Sequence, residues 1–383
     1  MTCARPQAPA DVGGRRVALV HDWFTGRRGG EKAFEAIRDL LPQADLFTLL
    51  HLPGTVSPEI DAARPSRSFI QHLPGAARHY RRYIPLFPAA VEQFDLDDYD
   101  LVVSASHCAV KSVIATGRAR HVCYCFTPMR YAWDQFDAYF GPERVGPLRS
   151  RLYRTAFRRL ARWDAETAGR VDRYVAISQH VAGRIRRYYD RTASVVYPPV
   201  DTTYFDPDGT APGPYFLIVS ALVPYKRIEL AIEATQIARV PLKIVGDGPE
   251  RVSLEARSAS HVEFLGSLPD EEVRTLYRGA RGLLLPGEED FGIAPVEAAG
   301  CGRPVVGLDY GGTAETVEDG ATGVLVGAPN AEAFADGIDR LCRINFDASY
   351  IRRHALRFSR DRFHSDMRAA IETTVDAPPQ MSW

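Results

Sequence analysis

The segment Glu289-Asp290-Phe291-Gly292-Ile293-Ala294-Pro295-Val296-Glu297 brings carboxylates, backbone amides and a helix start together within nine positions of a 383-residue chain. It follows the apolar run Leu283-Leu284-Leu285, which ends at Pro286-Gly287. The pattern predicts a strand, a short acidic loop and a helix, with Pro295 in the first helical turn, where a missing N–H is harmless. Glu289 then sits at the strand's carboxyl end and Glu297 in the first turn of the helix. The N–H groups of Gly292, Ile293 and Ala294 point from the helix start into the same space, and free amides plus the helix dipole suit a phosphate. Carboxylates suit sugar hydroxyls, because each accepts several hydrogen bonds of defined geometry. Two glutamates alone would read as ordinary compensation of the helix dipole; the whole string favours a binding site.

Three further segments could serve the same chemistry. Val219-Ser220-Ala221-Leu222-Val223-Pro224-Tyr225-Lys226-Arg227 runs from a strand end into a helix, and cations there can neutralise a departing diphosphate. Only four of the 47 basic residues are lysines, Lys32, Lys111, Lys226 and Lys243, so each stands out against the arginine bias. Val245-Gly246-Asp247-Gly248-Pro249-Glu250 is a strand-to-loop turn, a kind common in itself. Phe264–Leu268 stands in the matching place on the next strand. Near the start of the chain, His21-Asp22-Trp23 follows a first strand and Gly29-Gly30-Glu31-Lys32 opens a helix, a loop that lets backbone approach phosphates or an acceptor. The ordinary alternative for each is a surface helix start or a flexible turn.

Length and composition frame these segments. An apolar fraction of 45% and a charged fraction of 25% belong to a globular chain, and 383 residues predict two domains. The net charge of −1 conceals an asymmetry: residues 1–200 carry 29 basic and 20 acidic residues, residues 201–383 carry 18 and 28. The basic half could meet an anionic surface. No motif accompanies it that would point to nucleic acid. Six cysteines form no C-x-x-C pair, and four of them, in apolar or small-residue contexts, read as reduced core residues, which favours the cytoplasm. Val17–Val20 is too short for a signal peptide's apolar core, and no apolar run reaches membrane-spanning length. No metal is expected: Asp95-Leu96-Asp97-Asp98 reads as a solvated turn. The stretch Arg149–Arg162 is basic, with Leu148, Leu152, Ala156, Leu160 and Trp163 as an apolar stripe. It is read either as a helix that docks on anionic lipid headgroups or as a solvated helix packed on the first domain.

Apolar runs separated by amphipathic stretches must position these groups. Strands are expected at Val17–Val20, Leu46–Leu49, Leu101–Ser104, His121–Cys125, Tyr174–Ile177 and Val195–Tyr197. A second series is expected at Tyr215–Ser220, Leu242–Val245, Val262–Leu265, Gly282–Leu285, Pro304–Gly307 and Gly323–Val326. That alternation predicts an α/β protein of two doubly wound, Rossmann-like domains. The expected boundaries are a disordered tail over 1–15, an acceptor-side domain over 16–203, a donor-binding domain over 204–358, and a helix over 359–383 returning to the first domain. A ligand is expected where strand carboxyl ends face the cleft between the domains.

The string Glu-x-Phe-Gly-x-x-x-x-Glu-Ala at 289–298, followed by Gly-x-Pro-Val-Val at 302–306, resembles the donor motif of family 4 retaining glycosyltransferases, which have the GT-B fold. The resemblance implies Glu289 for the transferred sugar's hydroxyls and Glu297 for the donor ribose. It further implies Phe291, Gly292, Ile293 and Ala294 for sugar and diphosphate, Lys226 for the pyrophosphate with Arg227 helping, Gly30 for donor phosphates, Gly248 for a nucleotide-pocket wall clear of side chains, and Phe264–Leu268, Leu268 included, for the base. Many relatives have Arg where this chain has Ala221. Cys125-Phe126-Thr127-Pro128-Met129-Arg130-Tyr131-Ala132-Trp133-Asp134, with Tyr197-Pro198-Pro199-Val200-Asp201, is similar to bacterial mannosyltransferases of O-antigen and exopolysaccharide synthesis that use GDP-mannose. The implied activity is metal-independent, retaining transfer of a hexose to a glycan or lipid-linked acceptor, with no cofactor beyond the nucleotide-sugar donor. Gly29, Glu31, His107, Phe126 and Arg130 are candidate acceptor or sugar contacts. Those relatives carry His where this chain has Phe126. Either another group such as His107 fills that place, or the donor lacks a 6-hydroxyl, as in a 6-deoxyhexose. A UDP-hexose donor and a non-catalytic nucleotide-sugar-binding protein are the alternatives.

Overall fold

Strands covered by helices on both faces lose solvent on both faces, so their sequences run apolar instead of alternating. Val17–Phe24 is buried at all eight positions and Gly282–Leu285 at all four. The computed structural model describes residues 10–115 and 119–377. Its strands are β1 (Val17–Phe24), β2 (Asp45–His51), β3 (Ser66–Arg67), β4 (Leu101–Ser106), β5 (Arg120–Cys125), β6 (Arg173–Ala176), β7 (Ala193–Val195), β8 (Phe216–Val219), β9 (Leu242–Val245), β10 (Val262–Gly266), β11 (Gly282–Leu285), β12 (Val305–Leu308) and β13 (Gly323–Val326). They form two sheets of order β3-β2-β1-β4-β5-β6-β7 and β10-β9-β8-β11-β12-β13. Every pairing in both is parallel.

The chain divides into two compact units, residues 1–199 with 363–383, and residues 200–362. Each sheet starts in its middle, grows outward one way, then reverses. The reversal lies between β1 and β4 in the first sheet and between β8 and β11 in the second. Right-handed crossovers on either side of that point put helices on opposite faces, which leaves a crevice at the strand carboxyl ends. The loops leaving β1, β4, β8 and β11 are therefore the ones topology reserves for a ligand.

Period-two alternation assigns the core. In β8, Phe216 and Ile218 enter one layer with Leu284, Val306 and Phe334, while Leu217 enters the other with Leu283, Leu285 and Ala298. The helix Arg360–Asp376 lies almost wholly in the first unit, where Phe363 meets Tyr124 edge-on at 5.6 Å.

Two expectations need correction. The anticipated tail over 1–15 lies outside the described residues for 1–9, but from Ala10 the chain is packed. Ala10 and Val12 are buried, and the Ala10 N–H donates to Leu40 O at 2.8 Å. The strand β3 was not anticipated: it has two residues, Ser66 and Arg67, both exposed, and so no apolar pattern to reveal it.

Candidate active site

Lys226 and Glu289 come from the two loops at the reversal point of the second sheet. The Lys226 loop leaves β8 and the Glu289 loop leaves β11, and the lysine Nζ donates to Glu289 Oε1 at 2.5 Å. Both side chains are mostly enclosed. Two loops can approach so closely because residue 287 is glycine: a Cβ there would stand 2.7 Å from Lys226 Cα and O. A third loop, leaving β12, supports the second from behind. Gly312 N–H donates to Glu289 O at 2.7 Å, and a Cβ on Gly312 would lie 2.2 Å from Phe291 Cα. The Gly311-Gly312 pair went unnoticed in the sequence, where two glycines after a strand look like any turn. Arg227 is exposed, holds φ at +52°, and caps the helix Ile228–Ala238.

The helix after Glu289 spans Ile293–Gly300, with Gly292 as its N-cap at φ +88°. Ile293 and Ala294 are half-buried at its first turn, with Pro295 beside them. Glu297 is the fifth helical residue, so it lies in the second turn and not the first. Its Oε2 accepts from the Tyr277 hydroxyl at 3.0 Å, and Tyr277 is fully buried. A buried phenol gives that carboxylate a fixed direction, a partner that sequence separation had hidden. Phe291 departs from its expected role. Its ring is buried and packs 5.5 Å from Phe358, so the side chain is core and only the backbone of this residue lines the loop.

Gly248 also differs in its reason. A Cβ there would meet Leu222 O at 2.3 Å, a backbone atom of the β8 loop. Leu222 N–H donates to Asp247 O, and Glu250 N–H donates to Leu222 O, at 3.0 and 3.1 Å. The glycine therefore lets the β8 and β9 loops pack backbone to backbone, which fixes the loop that carries Lys226. Leu268 is half-buried against the layer that holds Tyr277 and Leu283.

In the first unit the loops leaving β1, β4 and β5 converge. Asp22, at the end of β1, is fully buried, and its carboxylate accepts four backbone N–H groups. His107 and Cys108 donate to one oxygen at 2.7 and 2.9 Å, Ala109 and Val110 to the other at 2.7 and 3.1 Å. Burial pushes this carboxyl up, and the four donors oppose that. Asp22 thus clips the β4 loop to β1 and presents His107, whose side chain keeps 26% exposure. Burial first, then the charges of Arg81, Arg130 and Arg28, hold His107 down at about 3, so it is neutral near pH 7. Phe126, half-buried at the end of β5, has its ring 6.2 Å from that of His107. Gly29 and Gly30 begin the helix Gly29–Leu40, and a Cβ on Gly30 would stand 3.8 Å from Phe126 Cζ. Glu31 is buried at the third helical position. Its Oε2 accepts from Arg28 N–H at 3.0 Å, and burial raises its carboxyl to about 7. Arg130 opens the short helix Arg130–Trp133.

Lys111 proves structural. It is buried, pairs with Asp164 at 3.1 Å and donates to Asp164 O at 2.6 Å; Asp164 in turn accepts from Trp133 Nε1 and Tyr189 OH. The basic helix spans Pro147–Glu166, and its apolar stripe is split. Leu160 and Phe157 are buried, whereas Leu148 and Leu152 are 83% and 70% exposed, on a helix whose Arg149, Arg151, Arg158, Arg159 and Arg162 are also exposed. No helix among the described residues is long and apolar enough to cross a membrane. Among the same residues no group of His, Cys, Asp or Glu is arranged to hold a metal ion.

Comparison with known proteins places the chain. The model for Glycosyltransferase Family 4 matches residues 23–204, and that for Glycosyl transferases group 1 matches residues 205–357. The chain belongs to glycosyltransferase family 4. Among curated relatives, it is 31% identical over 135 residues to O-antigen chain mannosyltransferase C of Escherichia coli, covering 33% of this chain and 36% of that protein. It is 32% identical over 219 residues to a GDP-mannose-dependent alpha-(1-6)-phosphatidylinositol monomannoside mannosyltransferase of Mycolicibacterium smegmatis, covering 49% and 56%. The family 4 chain thus spans about half the length, or less, of the curated relatives it matches. In fold it is similar to the Anabaena protein HepE, whose structure was determined in complex with UDP-glucose. The TM-score is 0.70 at 20% identity, over 93% of this chain and 99% of that one. Two Rossmann-like units of parallel sheet are the GT-B architecture.

Proposed function

We propose that this family 4 chain is a retaining hexosyltransferase that uses a nucleotide-sugar donor, best matched by GDP-mannose, and transfers to a glycan or lipid-linked acceptor. The observation that carries the proposal is the Lys226–Glu289 pair at the reversal point of the second sheet, beside the first turn of the Ile293–Gly300 helix. Glu289, oriented by Lys226, accepts from sugar hydroxyls. Lys226, Arg227 and the amides of Gly292, Ile293 and Ala294 carry the negative charge of the diphosphate. Glu297, held by Tyr277, accepts from the ribose. The acceptor oxygen bonds to the anomeric carbon as its bond to the β-phosphate oxygen breaks. That phosphate oxygen takes the acceptor's proton, so attack and departure share one face and the configuration is kept. Fixed cations and amides supply what a metal would otherwise supply.

The mannose assignment draws on the two mannosyltransferase relatives. A UDP-linked donor is the alternative, since HepE is described with UDP-glucose. A 6-deoxyhexose is a second reading of the sugar, favoured by the half-exposed apolar ring of Phe126. Incubating the chain with GDP-mannose and with its 6-deoxy analogue, and reading turnover and the anomeric coupling constant of the product by NMR, tests both parts. An inverted product overturns the mechanism, and faster turnover of the analogue overturns the sugar. Binding of the donor without turnover under any acceptor would favour a non-catalytic nucleotide-sugar-binding protein. The chain is also proposed to work at the cytoplasmic face of a membrane, reached through Leu148, Leu152 and the arginines around them.

A further inference from the structure

The helix Arg360–Asp376 runs along one face of the first sheet, and that face changes character beneath it. Near the helix start, Phe363 packs on Tyr124 of β5. Side chains alternate along a strand, so Tyr124, Val122 and Arg120 share this face. In the parallel register Val122 stands beside Arg173, and Val175 beside Ser194, which puts Arg173, Thr192 and Ser194 on the same face. At the amino ends of β5, β6 and β7 the apolar cover gives way to a recess of about 230 Å³, whose lining includes Arg120, Asp172, Arg173, Thr192, Ser194 and Thr374. Two guanidiniums and three hydroxyls are not what a sheet needs under a helix, where the usual filling is apolar. Each arginine is held at one side only. Arg120 Nη1 pairs with Asp172 at 3.4 Å, and its Nη2 donates to Ala377 O at 2.5 Å, just past the helix end. Arg173 Nε donates to Thr374 Oγ1 at 2.7 Å, while its Nη1 and Nη2 have no protein partner among the described residues. Asp172 is the one carboxylate of the lining, and its other oxygen already accepts from His121 N–H at 2.7 Å. Arg191 adds a third positive charge, with its guanidinium 6.0 Å from the centroid of Tyr174. Thr192 and Ser194 are exposed, so the recess opens to solvent beside the edge strand β7.

A guanidinium anchored through Nε keeps its two terminal nitrogens for a pair of oxygens on one anion. The Thr192 and Ser194 hydroxyls can donate to a further oxygen. A carboxylate has two oxygens and a phosphate monoester three, so this set of donors matches phosphate. The recess is smaller than the roughly 300–1,000 Å³ of pockets that enclose drug-sized ligands, which restricts the rest of the molecule to a small carrier. We propose that Arg173, with Arg120, Thr192 and Ser194, binds the phosphate of a small soluble phosphate monoester. The site lies at the opposite end of the sheet from the loops that carry His107 and Phe126, about 20 Å away along the six residues of β5. Its ligand is therefore an effector and takes no part in the transfer. Arg173 also holds Thr374, so the ligand fastens the end of the helix by which the chain returns to the first unit at Phe363.

The full chain carrying Lys226→Gln, which removes the donor-side cation, is titrated with glycerol 3-phosphate and, for comparison, with acetate. Calorimetry reads the affinity, and hydrogen exchange of the amides of residues 370–377 reads the place. Glycerol 3-phosphate is expected to bind saturably, at least about tenfold more tightly than acetate, and to slow exchange in that segment. Ser194→Asp sets a negative charge at an exposed strand position, where the fold has room for it. It is expected to weaken binding by at least about tenfold with an unchanged melting curve. Arg173→Lys keeps the charge but loses the fork, and is expected to weaken binding several-fold. The proposal is overturned if glycerol 3-phosphate binds no better than acetate, if the folded Ser194→Asp variant binds as tightly as its parent, or if the slowed amides all lie outside residues 370–377. None of these outcomes bears on the donor assignment, which rests on the second unit.

Discussion

Glu289 can orient a sugar only if its own carboxylate is held, and Lys226 holds it at 2.5 Å. Removing either partner leaves the other charge enclosed and unpaired. Glu289→Ala is therefore expected to lower kcat/KM by roughly 10²–10³ and to cost some stability, while circular dichroism stays near wild type; a loss of activity under tenfold contradicts the role. Tyr277→Phe deletes only the hydrogen bond to Glu297. It is expected to raise the donor KM several-fold with little change in kcat, and to destabilise the fold by about 1 kcal/mol. An unchanged KM would detach Glu297 from donor binding. At this scale the sequence is legible where groups are contiguous. Glu289, Gly292 and Glu297 announce themselves as a string, but Tyr277 and Asp22 do not, because their partners lie 20 and about 85 positions away.

Loops are where the elements decide the site. The β8, β9, β11 and β12 loops pack backbone on backbone, and glycines at 248, 287 and 312 are what permit it. Gly287→Ala must push the β11 loop away from Lys226. The expected cost is about 1–3 kcal/mol of stability with at least tenfold weaker donor binding, read by urea unfolding and calorimetry. A variant as stable and as tight as wild type would mean that the loops have slack. On the first unit, the Pro147–Glu166 helix shows two leucines and five arginines outward. Leu148→Ser with Leu152→Ser is expected to reduce sedimentation with vesicles containing anionic lipid by about tenfold or more, since each leucine contributes roughly 1.5–3 kcal/mol when buried. Equal sedimentation contradicts docking by this face. The sequence revealed this helix and its charge but not its orientation. Leu148 and Leu160 look alike in a stripe, and only packing separates the exposed one from the buried one.

Across the whole molecule, the apolar runs that cross each sheet were readable because parallel strands are buried on both faces; β3, short and exposed, was not. The order of the strands was unreadable locally, yet it alone brings β8 beside β11. The same buried interior predicts a pH response. His21 and His121 are held at about 4 and His107 at about 3, mainly by burial. Unfolded imidazoles take up protons near 6.5 while the folded ones stay neutral, so stability is lost as pH falls from 6.5 toward 4. Glu31 acts oppositely: its folded value of about 7 lies above the unfolded one, so it disfavours folding as pH rises through the window between them. Four histidines, His354 among them, against the buried carboxyls of Glu31 and Asp22 predict a melting temperature that drops between pH 6.5 and 4.5. Calorimetry showing no drop would contradict that account of the interior.

The central claim is that the second unit holds a nucleotide-sugar diphosphate at Lys226, Glu289 and the Ile293–Gly300 helix start. Its most direct test is thermal unfolding of the full chain with a panel of GDP-, UDP- and dTDP-sugars, repeated with Lys226→Gln. At a hundred times its dissociation constant, the true donor is expected to stabilise the wild-type chain by about 2.7 kcal/mol. Most of that gain should vanish in the variant. No stabilisation by any member of the panel, or an equal gain in the variant, would contradict the claim.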